Sequence, residues 1–329
     1  MSVPSTVAAR STDFLSAERA NRRATAILVG LLLLLGIALG ASLFAALWLE
    51  FGDAPVTGWT DLVVPAGFGA LAFGGLGSLY SALMLSIGDR MVLGLADAGE
   101  VAPGEEPVLH NVVAEMAIAA GLPKPRVMVV ESPALNAFAT GLRSDDGAIA
   151  VTRGLLQALD REELQGVVAH EMGHIRNLDT LYLTAIALFA GLIALVADVG
   201  VRALRIGRGV GRDSDRKGGG AIAVVVFALA LLLAVLAPMV AGFVRMAVSR
   251  QREYLADATA VRFTRNPQGL IGALEKIDRG TFPLPGANRA MQHMYIVNPL
   301  DRFDPDPGAL WSTHPATADR IARLRNLAG

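Results

Sequence analysis

The sequence contains no cysteine. Disulfides are therefore excluded, and so are thiolate metal ligands, which leaves His, Asp and Glu as the side chains able to hold a metal. Charge is also scarce: Asp, Glu, Lys and Arg make up 18% of the 329 residues, against about 25% in an ordinary soluble domain. The deficit accompanies 53% hydrophobic residues and a mean hydropathy of +0.47, which point to segments that lie in a membrane. Neither sign of charge dominates, the formal net charge being −1, so nothing marks a nucleic-acid partner. No G-x-x-x-x-G-K-[ST] stretch occurs, so there is no P-loop to hold ATP. Histidine is sparse as well, five in the whole chain, and two of them frame a pattern.

That pattern is His170-Glu171-Met172-Gly173-His174, an H-E-x-x-H. On a helix, positions i and i+4 share a face, with Cβ atoms about 5–6 Å apart. Two imidazoles so placed can bind one Zn2+, and the Glu beside the first can reach a metal-activated water. A pentapeptide can arise by chance, so its surroundings have to agree with it. Asp160 followed by Glu163 reads as a capping box that opens this helix. No proline occurs from Arg161 to Leu236, so nothing local predicts that the helix stops after His174.

The chain divides by composition. Residues 1–25 form a polar N-terminal tail. Residues 26–88 read as a two-helix membrane anchor, with an uncharged run from Ala26 to Leu49 and a second apolar run from Leu62 to Gly88. Each meets the roughly 20-residue need of a spanning helix, and the first is too long for the ~7–15-residue core of a cleaved signal peptide. Gly36, Gly40, Ala70 and Gly74 are small residues able to let the two helices approach. Arginines before the first span and an acidic loop after it predict an inside N-terminus.

Residues 89–180 read as a soluble stretch with a helix near Glu105–Ala120 and strands at 126–131, 136–141 and 147–152. His110 on that helix reads as a surface or packing residue rather than a ligand. An exposed edge of such a sheet could hold an extended peptide by backbone hydrogen bonds. Residues 181–247 read as an apolar helical hairpin with a basic, Gly-rich loop at 198–220. Residues 248–329 return to polar composition. Glu253 and Asp257 there are i, i+4 on a new helix. Glu253 lies seven residues past the fourth apolar run, as His174 lies seven before the third. If the two runs pair, their polar ends emerge at one height and bring a carboxylate to the histidines. The same pairing sends the basic loop to the opposite side, against the positive-inside rule, and the sequence does not decide between a full crossing and a re-entrant pair.

Several separated stretches carry a resemblance: Asn136–Gly141 (N-A-F-A-T-G), Val151–Leu156 (V-T-R-G-L-L), Glu163-Leu164 ahead of His170–His174, Arg252–Asp257 (R-E-Y-L-A-D) and Ser312–Pro315 (S-T-H-P). In this order, with four apolar runs, they resemble the HtpX-type membrane zinc metalloproteases, bacterial relatives of the CAAX-prenyl endoproteases. The resemblance implies a mainly α membrane protein with a small β-sheet, its gluzincin-like metalloprotease domain interrupted by the apolar helical hairpin. It implies one Zn2+ per chain on His170, His174 and Glu253, Glu171 as general base, and Asp257 orienting a ligand histidine. His314 would steady the tetrahedral intermediate. Extended substrate would pair with the strand at Asn136, Ala137 and Phe138. The implied activity is ATP-independent cleavage of misfolded or membrane-associated proteins by a multi-pass protein of the bacterial inner membrane, with its catalytic domain cytoplasmic. The rival class is a membrane chaperone or scaffold with a structural zinc. The family's usual proline after Pro315 is Ala316 here.

Overall fold

The computed structural model describes residues 14–51, 57–189, 250–280, 282, 294–297 and 315–327. The greater part of the apolar hairpin, including its basic loop, and both His293 and His314 lie outside the described residues. Two compact units result, one from the described residues of Met1–Ala24, Gly88–Thr184 and Arg245–Gly329, the other from those of Thr25–Ile87 and Ala185–Val244.

The second unit is built on the greater part of two long helices, α1 (Phe14–Phe51) and α2 (Val63–Leu95), whose turns before Thr25 and after Ile87 belong to the first unit. Stretches within them, Arg19–Ala45 and Trp59–Leu95 (the latter taking in the short 3-10 turn before α2), are long and apolar enough to cross a bilayer. The two helices meet at glycine: a Cβ on Gly40 would lie 2.2 Å from the Gly69 carbonyl oxygen. Gly40 belongs to the expected small-residue set, but its partner is Gly69 rather than Ala70 or Gly74, whose nearest contact is the Ile37 side chain.

The first unit layers helices on a small mixed sheet. Its strands are β1 (Ala98–Glu100), β2 (Arg126–Val130), β3 (Ala137–Gly141) and β4 (Gly147–Thr152), in the order β1-β2-β4-β3. β2 and β4 run parallel, and the other two pairs are antiparallel. Helix α3 (Pro107–Ala120) opens on a proline, where its missing N–H is no loss, and closes on Gly121 at φ 66°. The short α4 (Arg153–Ala158) leads to α5 (Arg161–Arg176). The capping box is present: Asp160 accepts from the Glu163 amide at 2.9 Å, and Glu163 Oε2 accepts from the Asp160 amide at 2.8 Å.

Every residue of α5 from Gly166 to Ile175 is buried. It packs against α3, the β3–β4 face, α7 (Arg250–Thr264) and α8 (Pro267–Asp278). Leu164, Val167, Val168, Met172 and Ile175 join Val112, Met116, Ile149, Leu270 and Leu274 in one apolar core, which holds the helix rigidly from all sides. The α5–α8 crossing is close, since a Cβ on Gly166 would lie 2.5 Å from the Leu270 amide nitrogen.

No proline marks the end of helix α5, yet it stops shortly after His174. It ends at Asn177, Leu178 adopts φ 56°, and a new helix, α6, begins at Asp179 and is described to Phe189. The last helix, α9 (Thr317–Leu327), buries Arg320 and Leu324, which lie four residues apart and so on one face. His110 is buried, with Nε2 2.9 Å from the Val101 carbonyl oxygen and Nδ1 3.0 Å from Lys124 Nζ, the packing role expected of it.

Candidate metal centre

The geometry of α5 brings His170 and His174 to one face, where their Nε2 atoms are 3.2 Å apart and their rings nearly perpendicular at 89°. Helix α7 brings Glu253 opposite them. Its two oxygens divide between the rings, Oε2 lying 3.6 Å from His170 Nε2 and Oε1 3.6 Å from His174 Nε2. All three residues are buried and form a group able to hold a metal ion. Ligand atoms about 2.0–2.2 Å from a tetrahedral zinc lie roughly 3.4 Å from one another. The spacing of this donor set therefore fits such an ion, and its nitrogen and carboxylate chemistry suits one.

With both Nε2 atoms facing inward, both Nδ1 atoms face outward, and each meets a buried carboxylate. Asp257 Oδ1 is 3.0 Å from His170 Nδ1 and Asp179 Oδ2 is 3.0 Å from His174 Nδ1. A carboxylate on Nδ1–H sets the tautomer that leaves Nε2 free to donate its lone pair to a metal. Asp257 was an expected partner of a histidine. Asp179 was not. The helix break at Leu178 makes its approach possible, because a continuous helix would carry position 179, five residues beyond His174, round to another face.

Arg320 is the second residue that sequence reasoning missed. It is 1% exposed, yet carries a charge into the centre of the unit. Its guanidinium grips Asp257 with both arms, Nε to Oδ2 at 2.9 Å and Nη2 to Oδ1 at 2.7 Å, while Nη1 donates to the Ile296 carbonyl oxygen at 2.8 Å. Nη2 also lies 3.4 Å from each ring nitrogen of His170. The available signal was a charged residue on the apolar stripe of the last helix, four residues before Leu324.

These contacts set the electrostatics. Burial pushes the Asp257 carboxyl up, but Arg320 and His170 outweigh it and hold it below the usual carboxylate range. Burial and the Arg320 cation press His170 toward neutrality, yet its bonds to Asp257 and Glu253 carry it to about 9. For His174 burial is likewise outweighed, chiefly by Asp179 and Glu253, and its pKa also rises. Glu171 is 1% exposed, and its Oε2 has no hydrogen-bond partner among the described residues. Burial pushes its carboxyl up, against the pull of His170 and His174.

The expected substrate strand lies on the β3 side of α5. Asn136 is buried just before β3, Ala137 and Phe138 begin it, and β3 is an edge strand. The edge is not exposed as expected: all five β3 residues are buried. The chain's own segment 294–297 lies along it, with a Phe138–Tyr295 antiparallel bridge, the Ile296 amide donating to the Ala137 carbonyl at 3.0 Å and Asn136 Nδ2 donating to the Val297 carbonyl at 3.0 Å.

The family is shown by comparison with known sequences. The model of Peptidase family M48 matches residues 103–328. A "Protease HtpX homolog" of Caldanaerobacter subterraneus subsp. tengcongensis is 45% identical over 76% of this chain and 81% of that protein. A protein of the same name from Lactobacillus acidophilus is 37% identical over 93% of this chain and 97% of its own length. Among solved structures, the crystal structure of S. mikatae Ste24p matches with a TM-score of 0.46 and 18% identity, over 94% of this chain and 66% of that one.

Proposed function

The chain belongs to peptidase family M48 and is a membrane metalloendopeptidase; from that premise we propose that it holds one Zn2+ on His170, His174 and Glu253, with Glu171 as general base. The observation that carries this reading is the convergence of two Nε2 atoms and one carboxylate at 3.2–3.6 Å, each imidazole backed by its own aspartate. Zinc bound there would supply Lewis acidity, lowering the pKa of a water and polarising the scissile carbonyl.

The protein residues do the rest. Glu171 accepts the proton of the attacking water as the C–O bond forms, and delivers it to the leaving amine as the C–N bond of the tetrahedral intermediate then breaks. Burial favours that task, because a carboxylate raised above its ordinary range takes up and releases protons nearer neutral pH. Asp257 and Asp179 hold the imidazoles in register, and Arg320 holds Asp257. His314, outside the described residues, is assigned charge stabilisation of the oxyanion on the strength of the S-T-H-P resemblance alone. An extended substrate pairs with the outer edge of β3 at Asn136–Phe138. Residues 295–297 already lie antiparallel on that edge, so substrate has to displace them and take over the backbone bonds they make there.

Substrates are misfolded or membrane-associated proteins. They are cleaved without ATP at the cytoplasmic face of the inner membrane, for protein quality control. The deciding experiment measures zinc content and cleavage of an unfolded protein by wild type and Glu171→Gln. Near one zinc per chain in both, with cleavage only in wild type, is the expected result. A Glu171→Gln protein that cleaves at the wild-type rate would sink the base assignment, and no zinc in either would sink the metal site.

A further inference from the structure

Asn21 is a buried amide, 3% exposed, in the first turns of a helix that becomes the first apolar span. It belongs to the same compact unit as the metal cluster. Its Nδ2 donates to Asp179 Oδ1 at 2.8 Å and to the Asn177 carbonyl oxygen at 2.9 Å. Between those two acceptors stands Leu178 at φ 56°, a conformation that an L side chain adopts only where the surroundings impose it. One side-chain amide thus ties both ends of a strained three-residue turn, and the far end of that turn is the carboxylate that meets His174 Nδ1 at 3.0 Å.

We infer that Asn21 is a positioning residue of the metal centre: it straps the Asn177–Asp179 turn, so that Asp179 keeps His174 Nε2 aimed at His170 and Glu253. Charge balance is not its task. The Arg252 guanidinium, 3.4 Å from Asp179 Oδ1, already faces that carboxylate, and a neutral amide adds direction rather than charge. The N-terminal turns of the first helix are therefore part of the active centre and not only an anchor. This inference rests on the assignment of His174 as a metal ligand.

The test uses the full chain in detergent or nanodiscs. Zinc affinity is read by chelator competition, and the absorption spectrum of the Co2+-loaded protein reports ligand geometry. Loss of a residue that hydrogen-bonds a metal-ligating histidine typically weakens metal binding by about 10–100-fold, which is the expectation for Asp179→Ala. Asn21 acts one link further out, so Asn21→Ala is expected to weaken binding by about three- to tenfold and to shift the Co2+ spectrum. In an Asp179→Ala background the same change is expected to have no further effect, because the strap would have nothing left to aim. Asn21→Asp, nearly the same shape but with a carboxylate in place of the donor amide, is expected to weaken binding at least as much as Asn21→Ala and serves as the second variant if Asn21→Ala accumulates poorly, wild-type affinity and spectrum in it overturning the inference likewise. Wild-type affinity and spectrum in Asn21→Ala, alongside a loss in His174→Ala, would overturn the inference alone. An undiminished Asn21→Ala effect without Asp179 would overturn it too. Wild-type affinity in His174→Ala would overturn the ligand assignment and, with it, the role given to Asn21.

Discussion

Replacing Arg320 by Met should destabilise the metal-free protein by about 3 kcal/mol. The guanidinium is 1% exposed and Asp257 is 3% exposed, so neither charge has water to fall back on. Removing one member of a buried pair costs about 3–5 kcal/mol, because the other charge is left uncompensated. The lower end applies at pH 7. There His170, carried to about 9, is still protonated and remains 3.0 Å from Asp257 as a substitute cation. For a folded unit of this size, 1 kcal/mol corresponds to about 2–4 °C in Tm, which predicts a fall of roughly 6–12 °C. The assay is thermal unfolding by circular dichroism in detergent after chelation, since bound metal would add its own stabilisation and mask the difference. Arg320→Met combined with Asp257→Leu should recover most of the loss, because a buried pair replaced as a whole by apolar side chains is close to neutral. Arg320→Lys should fall between, keeping the charge but losing the two-armed grip. A single variant within about 2 °C of wild type, or a double variant as unstable as the single, would refute the argument.

Glu253→Ala should abolish stoichiometric zinc binding; full occupancy by elemental analysis would move the third ligand elsewhere. Metal affinity should rise with pH. His170 is raised to about 9 from an ordinary 6.5, so its protonated form stabilises the metal-free fold fully below pH 6.5, and that contribution is lost as pH rises through 9. Metal must displace that proton and any that His174, also raised, carries, so apparent affinity should climb at least tenfold per pH unit below about 9, and a flat profile in pH-corrected chelator titrations would contradict it. Gly166→Ala should cost about 1–3 kcal/mol, because its Cβ would press on the Leu270 backbone at 2.5 Å. Gly173→Ala, whose Cβ would meet Thr259 Cγ2 at 3.4 Å, should be tolerated, and equal thermal shifts in the two would refute the packing argument.

Much of the protease unit was legible locally. The Asp160–Glu163 box, the helical H-E-x-x-H and the strands at 126–130, 137–141 and 147–152 all depend on neighbours in sequence, so short-range patterns announce them. Glu253 was reachable because it lies as many residues past the fourth apolar run as His174 lies before the third. The rest depended on contacts between distant segments. Arg320 meets a histidine 150 residues away and Asn21 meets an aspartate 158 residues away, and no local pattern encodes either partner. The end of α5 was hidden for a different reason. It is made by a leucine in a left-handed conformation, held by tertiary bonds, where proline or glycine would have signalled it. β1, three residues long, is too short to carry a period.

The wide spacing of the site residues also sets when the site can be completed. His170 leaves the ribosome 150 residues before Arg320, which at about 5–20 residues per second is roughly 8–30 s earlier. Throughout that interval the motif is made but Asp257, once synthesised, has no guanidinium to hold it against His170. The brace on Asp257 is thus completed only when the helix carrying Arg320 docks, well after the motif it supports has been made.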